Sequence, residues 1–376
     1  MPNKKLGLIV NPIAGLGGKV GLKGTDGEAI IKRAIKLRAT AVSPTRALEA
    51  LRTLTYARNE FELVTYPFEM GQDVAEKCCL NSKIIGSIVK GKTTATDTKN
   101  AARDMMKLGV DLILFSGGDG TARDICEVIG GEVPVLGIPA GVKMHSAVFA
   151  INPKKAAELA ISFLRGEASL REAEVMDIDE DAFRKKNKVV ARLYGYLQVP
   201  YEKSLVQPIK IGSSTTMDEK SNQEAIAEYI VERMEDDCYY ILCPGTTVKA
   251  IADKLGFKKT LLGVDIVKKR RMIAMDVNEE KLLKLIEGEK AKIVVSPIGG
   301  QGFIFGRGNQ QISPQVIKKV GIDNIIILAT ENKLHSIGPG KPLLVDTGDD
   351  EINKQLSGYK RVVTGYNKEV IWKVSA

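Results

Sequence analysis

The sequence FSGGDGT, residues 115–121, decides how the N-terminal half of this 376-residue chain is expected to fold. A nearly all-apolar run at residues 111–115 leads into it, and a helical pattern follows it. Three glycines in a tight turn let backbone N–H groups approach a phosphate closely, and the start of the next helix adds unpaired N–H donors. The stretch therefore predicts a strand, an anion-binding turn and a helix in succession.

Strand-like and helical patterns alternate on both sides of this turn. Helices are predicted at residues 45–54 and 98–108, the first with Ser43 and Pro44 as its cap and first-turn residues. The other predicted strands of this half lie at residues 6–10, 61–66, 83–89 and 133–138. Such alternation favours an α/β fold with a doubly wound parallel sheet, in which ligands bind at the carboxyl ends of the strands.

The pattern changes near Ile151, where we expect a second domain to begin. An N-terminal nucleotide-binding domain would then span residues 1–150 and a substrate domain residues 151–376. The elements predicted for the second domain are strands at residues 171–179, 188–199, 239–242, 261–267, 272–275, 292–295 and 324–328, helices at 156–164, 223–234 and 248–255, a polar loop at 207–222, and a hairpin at 361–366 and 369–374. This domain should be mixed and β-rich, with a C-terminal tail that could pack back.

Composition and charge limit the classes of function. Hydrophobic residues make up 44% and charged residues 27% of the sequence, as in ordinary globular proteins. No run approaches the ~20 apolar residues of a membrane span, and no signal-peptide pattern is present, so a cytoplasmic protein without a membrane partner is expected. The net charge of +9 is dispersed and aromatic residues are only 5%, which favours attraction of anionic nucleotides over nucleic-acid binding.

Asp119 is the single carboxylate inside the glycine-rich turn. A carboxylate beside a phosphate repels its own ligand unless a metal ion or a reacting hydroxyl lies between them. Asp119 could therefore accept a proton from an attacking hydroxyl, or hold Mg²⁺. The residues expected to contact phosphates are Gly117, Gly118, Gly120 and Thr121. The alternative is a tight strand-to-helix turn in which Asp119 caps the helix.

The loop after the first predicted strand carries Asn11 and Gly15. It would lie at the same sheet edge as Asp119, so we expect phosphate or ribose contacts there. It is not a Walker A loop, since no Ser or Thr follows Lys19, and it is not a GxGxxG fingerprint, since Val20 occupies the last glycine position. An ordinary glycine-rich turn is the alternative.

Two further loops follow predicted strands of the first half. Thr94 and Asp97 could hold phosphate, ribose or a hydrated metal, but a Thr followed three residues later by an Asp also fits a capping pattern. Gly141 and Lys143 follow the fifth strand. Lys143 could neutralise charge on a transferring phosphoryl group, although an exposed surface position is the commoner role of a single lysine.

Candidate substrate contacts come from two other places. Gly245, Thr246 and Thr247 form a small-residue loop at the start of a predicted helix, where hydroxyls suit a ribose or an amide. Helix capping by Thr246 or Thr247 explains the same residues without a ligand. Arg123 and Asp124, one helical turn beyond Asp119, could orient the substrate, and the alternative for them is a charged helix surface.

The sequence GGDGT at residues 117–121 matches the signature shared by NAD kinases, diacylglycerol kinases and sphingosine kinases. Extended through ARD at residues 122–124, it resembles the AcoX-type branch of the ATP-NAD kinase family. The other stretches similar to that branch are NPIAG at 11–15, EMG at 69–71, TTATDT at 93–98, IPAGVKMH at 138–145 and PGTT at 244–247. The resemblance implies an N-terminal α/β domain, a C-terminal domain with much β structure, and Asp119 as general base.

The resemblance further implies a homo-oligomeric phosphotransferase that uses ATP with Mg²⁺ to phosphorylate NAD at the adenosine-ribose 2′-hydroxyl, giving NADP. The usual NAD kinases carry an Asn-Glu pair early in the second domain, whereas residues 191–195 here read ARLYG. Two alternatives therefore stay open: a kinase for another hydroxylated small molecule or a lipid, and a nucleotide-binding regulator without catalysis. His145 is not expected to be catalytic, because a lone histidine is more often structural.

Overall fold

The computed structural model describes residues 4–22, 28–142, 144–178, 191–202 and 217–376. The chain forms two compact units, one made of Met1–Leu16 and Gly24–Ile209 and the other of Gly17–Lys23 and Lys210–Ala376. Each unit has hydrophobic core clusters of its own. None of the described helices is both long and apolar enough to cross a membrane.

The first unit is built on a five-stranded parallel sheet. Its strands are β1 (Lys4–Val10), β2 (Phe61–Thr65), β3 (Ser82–Ile84), β4 (Leu112–Gly117) and β5 (Val135–Pro139). They lie in the order β3-β2-β1-β4-β5. β4 is buried along its whole length, as expected of a parallel strand covered on both faces. The doubly wound parallel sheet predicted from the sequence is confirmed.

Helices connect these strands. Those described in the first unit are α1 (Glu28–Lys36), α2 (Ser43–Leu54), α3 (Gln72–Lys77), α4 (Ala95–Leu108), α5 (Asp119–Ile129) and α6 (Pro153–Leu164), with short 3-10 turns at Thr55–Ala57 and Phe68–Met70. α4 buries Ala101, Ala102 and Met105, the apolar face that its sequence spacing predicts. The cap of α2 is Val42 rather than Ser43, which is already helical.

β3 is shorter than the strand predicted at residues 83–89. It lies at the edge of the sheet, pairs only with β2 and ends at Ile84. Gly86 then turns with a φ of +68°, and a Cβ at that position would lie 2.2 Å from Tyr66 Cζ. Only a glycine fits against the tyrosine ring at this turn, by which the chain leaves the sheet.

An antiparallel hairpin of β6 (Ser169–Ile178) and β7 (Ala191–Tyr201) extends the first unit beyond residue 150. Leu197 and Val199 of β7 and Leu159 of α6 belong to the same core as the parallel sheet, and β7 packs against β5 and α5. The two compact units therefore do not divide at residue 150, where a boundary was expected. The change of pattern near Ile151 marks a hairpin added to the first unit.

The second unit is built on a nine-stranded mixed sheet. Its strands are β8 (Cys238–Leu242), β9 (Asp265–Lys268), β10 (Arg271–Ala274), β11 (Lys290–Val295), β12 (Phe303–Phe305), β13 (Ile325–Leu328), β14 (Leu343–Val345), β15 (Gly358–Gly365) and β16 (Lys368–Ser375). They lie in the order β10-β9-β8-β11-β13-β15-β16-β14-β12. β8, β11, β13 and β15 are parallel neighbours, and β15 and β16 form the expected C-terminal hairpin. The predicted mixed, strand-rich architecture is confirmed.

The helices of the second unit begin earlier than predicted. Those described are α7 (Met217–Glu232), α8 (Thr246–Lys254), α9 (Glu279–Leu285), α10 (Pro314–Val320), α11 (Glu331–Ile337) and α12 (Asp350–Leu356), with a 3-10 turn at Ile322–Asn324. The predicted polar loop at residues 207–222 lies partly outside the described residues, and its end is the first turns of α7. Sequence periodicity misses these turns because the buried face of α7 starts with Glu219 and Gln223, which are polar.

Candidate active site

The carboxyl ends of β1 and β4 lie side by side where the strand order of the first sheet reverses. Val10 pairs with Ser116 in register, so Asn11 and Gly117 follow next to each other. The Asn11 N–H donates to Ser116 O over 3.0 Å. Open α/β sheets bind their ligands outside the carboxyl ends of the strands at such a reversal. The GGDGT turn therefore lies at the position where this fold presents its ligand site.

Asp119 is the first residue of α5, and Gly118 is the cap. The residue is 6% exposed. Its Oδ2 accepts a hydrogen bond from His145 N over 2.7 Å, and its Oδ1 accepts one from Ser146 N over 3.0 Å. The turn after β5 thus holds the carboxylate in a fixed orientation. Asp119 is not the helix cap, which was the alternative for this residue.

His145 is in direct contact with Asp119. Its Nδ1 lies 3.3 Å from Asp119 Oδ2, and the residue is only 4% exposed. A proton on Nδ1 would donate to the carboxylate, which is how carboxylates fix the tautomer and orientation of a histidine. Sequence reasoning set His145 aside because a lone histidine is more often structural, and the partner that the structure shows lies 26 residues earlier in the chain. The one signal in the sequence that could have indicated a site role for His145 was its place in the turn after a predicted strand.

The hairpin of β6 and β7 supports this turn. Ser146 Oγ donates to Met176 O and accepts from Met176 N, both over 2.9 Å. The Ala147 N–H donates to Glu174 O over 2.9 Å. Because the Ser146 N–H is the donor to Asp119 Oδ1, the hairpin helps to position the carboxylate without touching it.

Two side-chain contacts join the neighbouring loops to the GGDGT turn. Asn11 Nδ2 donates to Thr121 Oγ1 over 2.9 Å, so the loop after β1 is tied to the first turn of α5. Ser43 Oγ lies 3.0 Å from Ser116 O and 2.9 Å from Ser116 Oγ, and both serines are fully buried. Ser43, predicted to cap α2, instead braces the end of β4.

Two glycines of this edge are required by close approach of the backbone. A Cβ at Gly118 would lie 3.0 Å from Gly141 Cα, so the turn after β4 packs directly on the turn after β5. Gly15 has a φ of +78°, and a Cβ there would lie 2.3 Å from Ala140 O. These glycines let the three loops pack together. Contact with Ala140 O is enough to explain why residue 15 is a glycine. The phosphate contact expected of Gly15 stays a prediction.

Asp124 is a second buried carboxylate on α5. Burial raises the pKa of Asp124 above its usual value, because desolvation disfavours the ionised form, while the nearby Arg123 guanidinium opposes the rise. Arg123 Nη2 lies 3.6 Å from Asp124 Oδ1. Asp124 is therefore not part of a solvated helix surface. A buried acid with a raised pKa is characteristic of functional sites.

Thr94 and Asp97 form a capping box at the start of α4. Asp97 Oδ2 accepts hydrogen bonds from Thr94 N over 2.7 Å and from Thr94 Oγ1 over 2.8 Å. The capping role considered for this pair is therefore present, and these bonds do not reach Asp119. Lys143, the cation predicted for the turn after β5, lies outside the described residues.

Two domain models of one family match the sequence in order. The model of the ATP-NAD kinase N-terminal domain matches residues 6–168, and that of the ATP-NAD kinase C-terminal domain matches residues 235–374. Together the two matches cover more than half of the chain. The chain belongs to the ATP-NAD kinase family. A comparison with curated proteins gives no match.

Two solved structures similar to this ATP-NAD kinase family member come from Bacillus anthracis strain Sterne. One is a protein assigned as a diacylglycerol kinase, 15% identical, with a TM-score of 0.23 and a match covering 64% of this chain and 60% of that one. The other, also a diacylglycerol kinase, is 16% identical, with a TM-score of 0.20 and coverage of 55% and 70%. The chain thus spans less than two thirds of the first structure's length. Scores this low carry no weight for substrate or mechanism.

The loop that the family resemblance assigns to the substrate belongs to the second unit. Gly245 is the cap of α8, and no side chain supplies a capping bond, so neither Thr246 nor Thr247 caps the helix as the alternative required. Thr246 Oγ1 is buried and has no hydrogen-bond partner in the described part of the chain. Thr247 Oγ1 accepts from Lys333 Nζ over 3.0 Å.

The family's use of ATP raises the question of magnesium. Within the residues that the structure describes, no group of three or more His, Cys, Asp or Glu side chains is arranged to hold a metal ion. Mg²⁺ in nucleotide sites is commonly held by one or two carboxylates together with phosphates and water. Asp119 supplies a carboxylate at the reversal of strand order. A single carboxylate there fits an ion that is delivered with a nucleotide.

Proposed function

We propose that this chain transfers the γ-phosphoryl group of ATP to the 2′-hydroxyl of the adenosine ribose of NAD, giving NADP. The observation that carries the proposal is the Asp119 carboxylate of the GGDGT turn, which the backbone N–H groups of His145 and Ser146 orient. Its position at the reversal of strand order supports a ligand site there. Membership of the ATP-NAD kinase family supports NAD as the acceptor.

Asp119 would act as the general base. Among the described residues, its Oδ1 accepts a single hydrogen bond, from Ser146 N, and a carboxylate oxygen can accept about two. The second acceptor position suits the attacking hydroxyl. Its proton would move to the carboxylate as the hydroxyl oxygen bonds to the γ-phosphorus, while the bond from the γ-phosphorus to the bridging oxygen breaks and ADP leaves. His145, beside Oδ2, would keep the carboxylate in place during this transfer.

The first turn of α5 would contact the phosphates. The first intrahelical bond runs from Ala122 N to Gly118 O, so the N–H groups of Gly120 and Thr121 have no helical acceptor by position. These donors and the positive end of the helix dipole favour a phosphate group. When bound with ATP, Mg²⁺ would neutralise charge on the phosphates, and Asp119 is the carboxylate of the GGDGT turn that would hold it.

Formation of NADP from NAD, ATP and Mg²⁺, followed with an NADP-specific dehydrogenase, tests the proposal. We expect NADP from the wild-type chain and a loss of roughly 10²–10⁴-fold in Asp119→Asn, the usual worth of a general base. If ATP is consumed with a different hydroxylated acceptor and the reaction still depends on Asp119, the kinase activity is supported and NAD is not the acceptor. Nucleotide binding without turnover on any acceptor would instead identify a regulator.

A further inference from the structure

Buried polar side chains collect at the carboxyl ends of the parallel strands of the second unit. β8 is followed by Thr246 and Thr247, β11 by Ser296, and β13 by Thr330 and Lys333. Lys333 is 8% exposed, and Thr247, Ser296 and Thr330 are buried as well. Lysine is almost never buried to this extent without a partner or a function.

Lys333 is held by hydroxyl groups. Its Nζ donates to Thr247 Oγ1 and to Ser296 Oγ, each over 3.0 Å. A hydroxyl that accepts a hydrogen bond from an ammonium group still has its own hydrogen to donate. In the described part of the chain, neither the Thr247 nor the Ser296 hydroxyl hydrogen has an acceptor. The ammonium group therefore leaves two hydroxyl donors available beside it.

The start of α8 adds further donors to the same place. Thr246 Oγ1 is buried and has no hydrogen-bond partner among the described residues. The Gly245 cap offers no side-chain acceptor to the first-turn N–H groups, which have no acceptor within the helix. Buried polar groups in folded proteins are nearly always paired. The hydroxyls of Thr246, Thr247 and Ser296 are consequently donors that an acceptor-rich ligand could use.

One buried carboxylate is nearby, and it is bonded to other donors. Glu219 Oε1 accepts from Thr330 Oγ1 over 2.8 Å and from Gln223 Nε2 over 3.2 Å. Thr330 Oγ1 in turn accepts from Lys333 N at the start of α11. Thr330 thus links the Glu219 carboxylate to the first turn of α11, the helix that carries Lys333. None of these bonds uses the hydroxyl hydrogens of Thr246, Thr247 or Ser296.

We propose that this cluster binds a phosphate group, with Lys333 as the cation and the hydroxyls of Thr246, Thr247 and Ser296 as donors. Phosphate oxygens only accept hydrogen bonds, so they complement an ammonium group, hydroxyls and helix-start amides. The identity of the larger ligand rests on the proposed function: under it, the phosphate belongs to the pyrophosphate of the dinucleotide acceptor. The phosphate site itself stands on the donors alone.

Isothermal titration calorimetry on the full chain tests the site, with inorganic pyrophosphate and NAD as the two probes. Lys333→Met should weaken binding of both by about tenfold or more, as expected for hydrogen bonds to a charged group. Lys249→Met is the matched control, because Lys249 lies on α8 and pairs with Asp253 at the surface. The control should leave both affinities unchanged.

Thr246→Val separates binding from folding. The change removes a buried hydroxyl without a partner, so the melting temperature of the free chain should stay the same or rise. Pyrophosphate affinity should nevertheless fall, which a purely structural threonine would not produce. If Lys333→Met does not fold, the pyrophosphate affinity of Thr246→Val still tests the phosphate site.

The outcomes for the two proposals are distinguishable. Asp119→Asn, whose substitution lies in the first unit, should retain Lys333-dependent binding of pyrophosphate even though turnover is lost. If the wild-type chain binds pyrophosphate through Lys333 but makes no NADP, the phosphate site is supported. The assignment of NAD as the acceptor is then contradicted. Pyrophosphate binding that ignores both Lys333→Met and Thr246→Val, or no binding by the wild type at millimolar concentration, would overturn the inference.

Discussion

Asp119 and His145 make contact in two ways, and these have different consequences for mutation. The backbone N–H of His145 donates to Asp119 Oδ2 over 2.7 Å, whereas its ring Nδ1 lies at 3.3 Å. Substitution of the histidine side chain removes only the ring contact. The carboxylate would stay bonded to the N–H groups of residues 145 and 146. Under the proposed function, His145 is therefore a positioning residue and Asp119 the reacting group.

We predict that His145→Phe lowers kcat about 5- to 30-fold, the factor that corresponds to the 1–2 kcal/mol of one hydrogen bond to a charged group. The KM for ATP should change little, because the first turn of α5 is untouched. Steady-state kinetics check both values. The exposed His335→Phe is the matched control. A loss as large as that of Asp119→Asn would instead make His145 the base, with Asp119 orienting it.

Asp124 should reduce stability at neutral pH. Burial raises its folded pKa above the unfolded value of about 3.9, so the folded state binds the proton more tightly. The stability from this group is fully present below the unfolded pKa and is lost as pH rises through the folded pKa. Asp124→Asn should therefore raise the melting temperature at neutral pH but not at about pH 3. A lower melting temperature at neutral pH would contradict this assignment.

At the scale of elements, the site depends on how closely the turns after β4 and β5 pack. We predict that Gly118→Ala destabilises the chain by about 1–3 kcal/mol, because its Cβ would press on the Gly141 backbone, which cannot rotate away. Urea unfolding measures the change. Gly365→Ala is the control, since its Cβ would meet only ordinary contacts, and it should be nearly neutral. Equal effects of the two substitutions would rule out the close packing as the cause.

Thr94, a candidate ligand contact in the sequence, is a capping residue at the start of α4. We predict that Thr94→Ala costs about 1 kcal/mol of stability, because it removes a capping residue. The KM for ATP should stay within about twofold, since 1.4 kcal/mol would be needed for a tenfold change. Thermal unfolding and kinetics together check the prediction. A tenfold rise in KM with unchanged stability would place Thr94 against the nucleotide.

For the molecule as a whole, sequence patterns predicted the elements better than the contacts between them. β4 was predictable because a parallel strand buried on both faces is apolar throughout. The Thr247–Lys333 contact was not, because it joins residues 86 positions apart whose separate sequences give no sign of pairing. The hairpin of β6 and β7 resembled the start of a new domain because strand composition does not reveal which core a strand joins.

Each unit presents a parallel-sheet edge with its own chemistry. The edge of the first unit carries the Asp119 carboxylate, an acceptor suited to a hydroxyl proton. The edge of the second unit carries Lys333 and hydroxyl donors suited to a phosphate. The two edges therefore call for separate tests, of a proton acceptor in the first unit and of a phosphate site in the second.

The rate of NADP formation by Asp119→Asn, measured beside Asp111→Asn, tests the central claim most directly. Asp111 precedes the opposite end of β4 and pairs with Lys4, so its substitution matches the charge change away from the site. We predict that Asp119→Asn lowers kcat roughly 10²–10⁴-fold while ATP binding and folding persist. Asp111→Asn should keep wild-type turnover. Wild-type turnover in Asp119→Asn would contradict the assignment of Asp119 as the base.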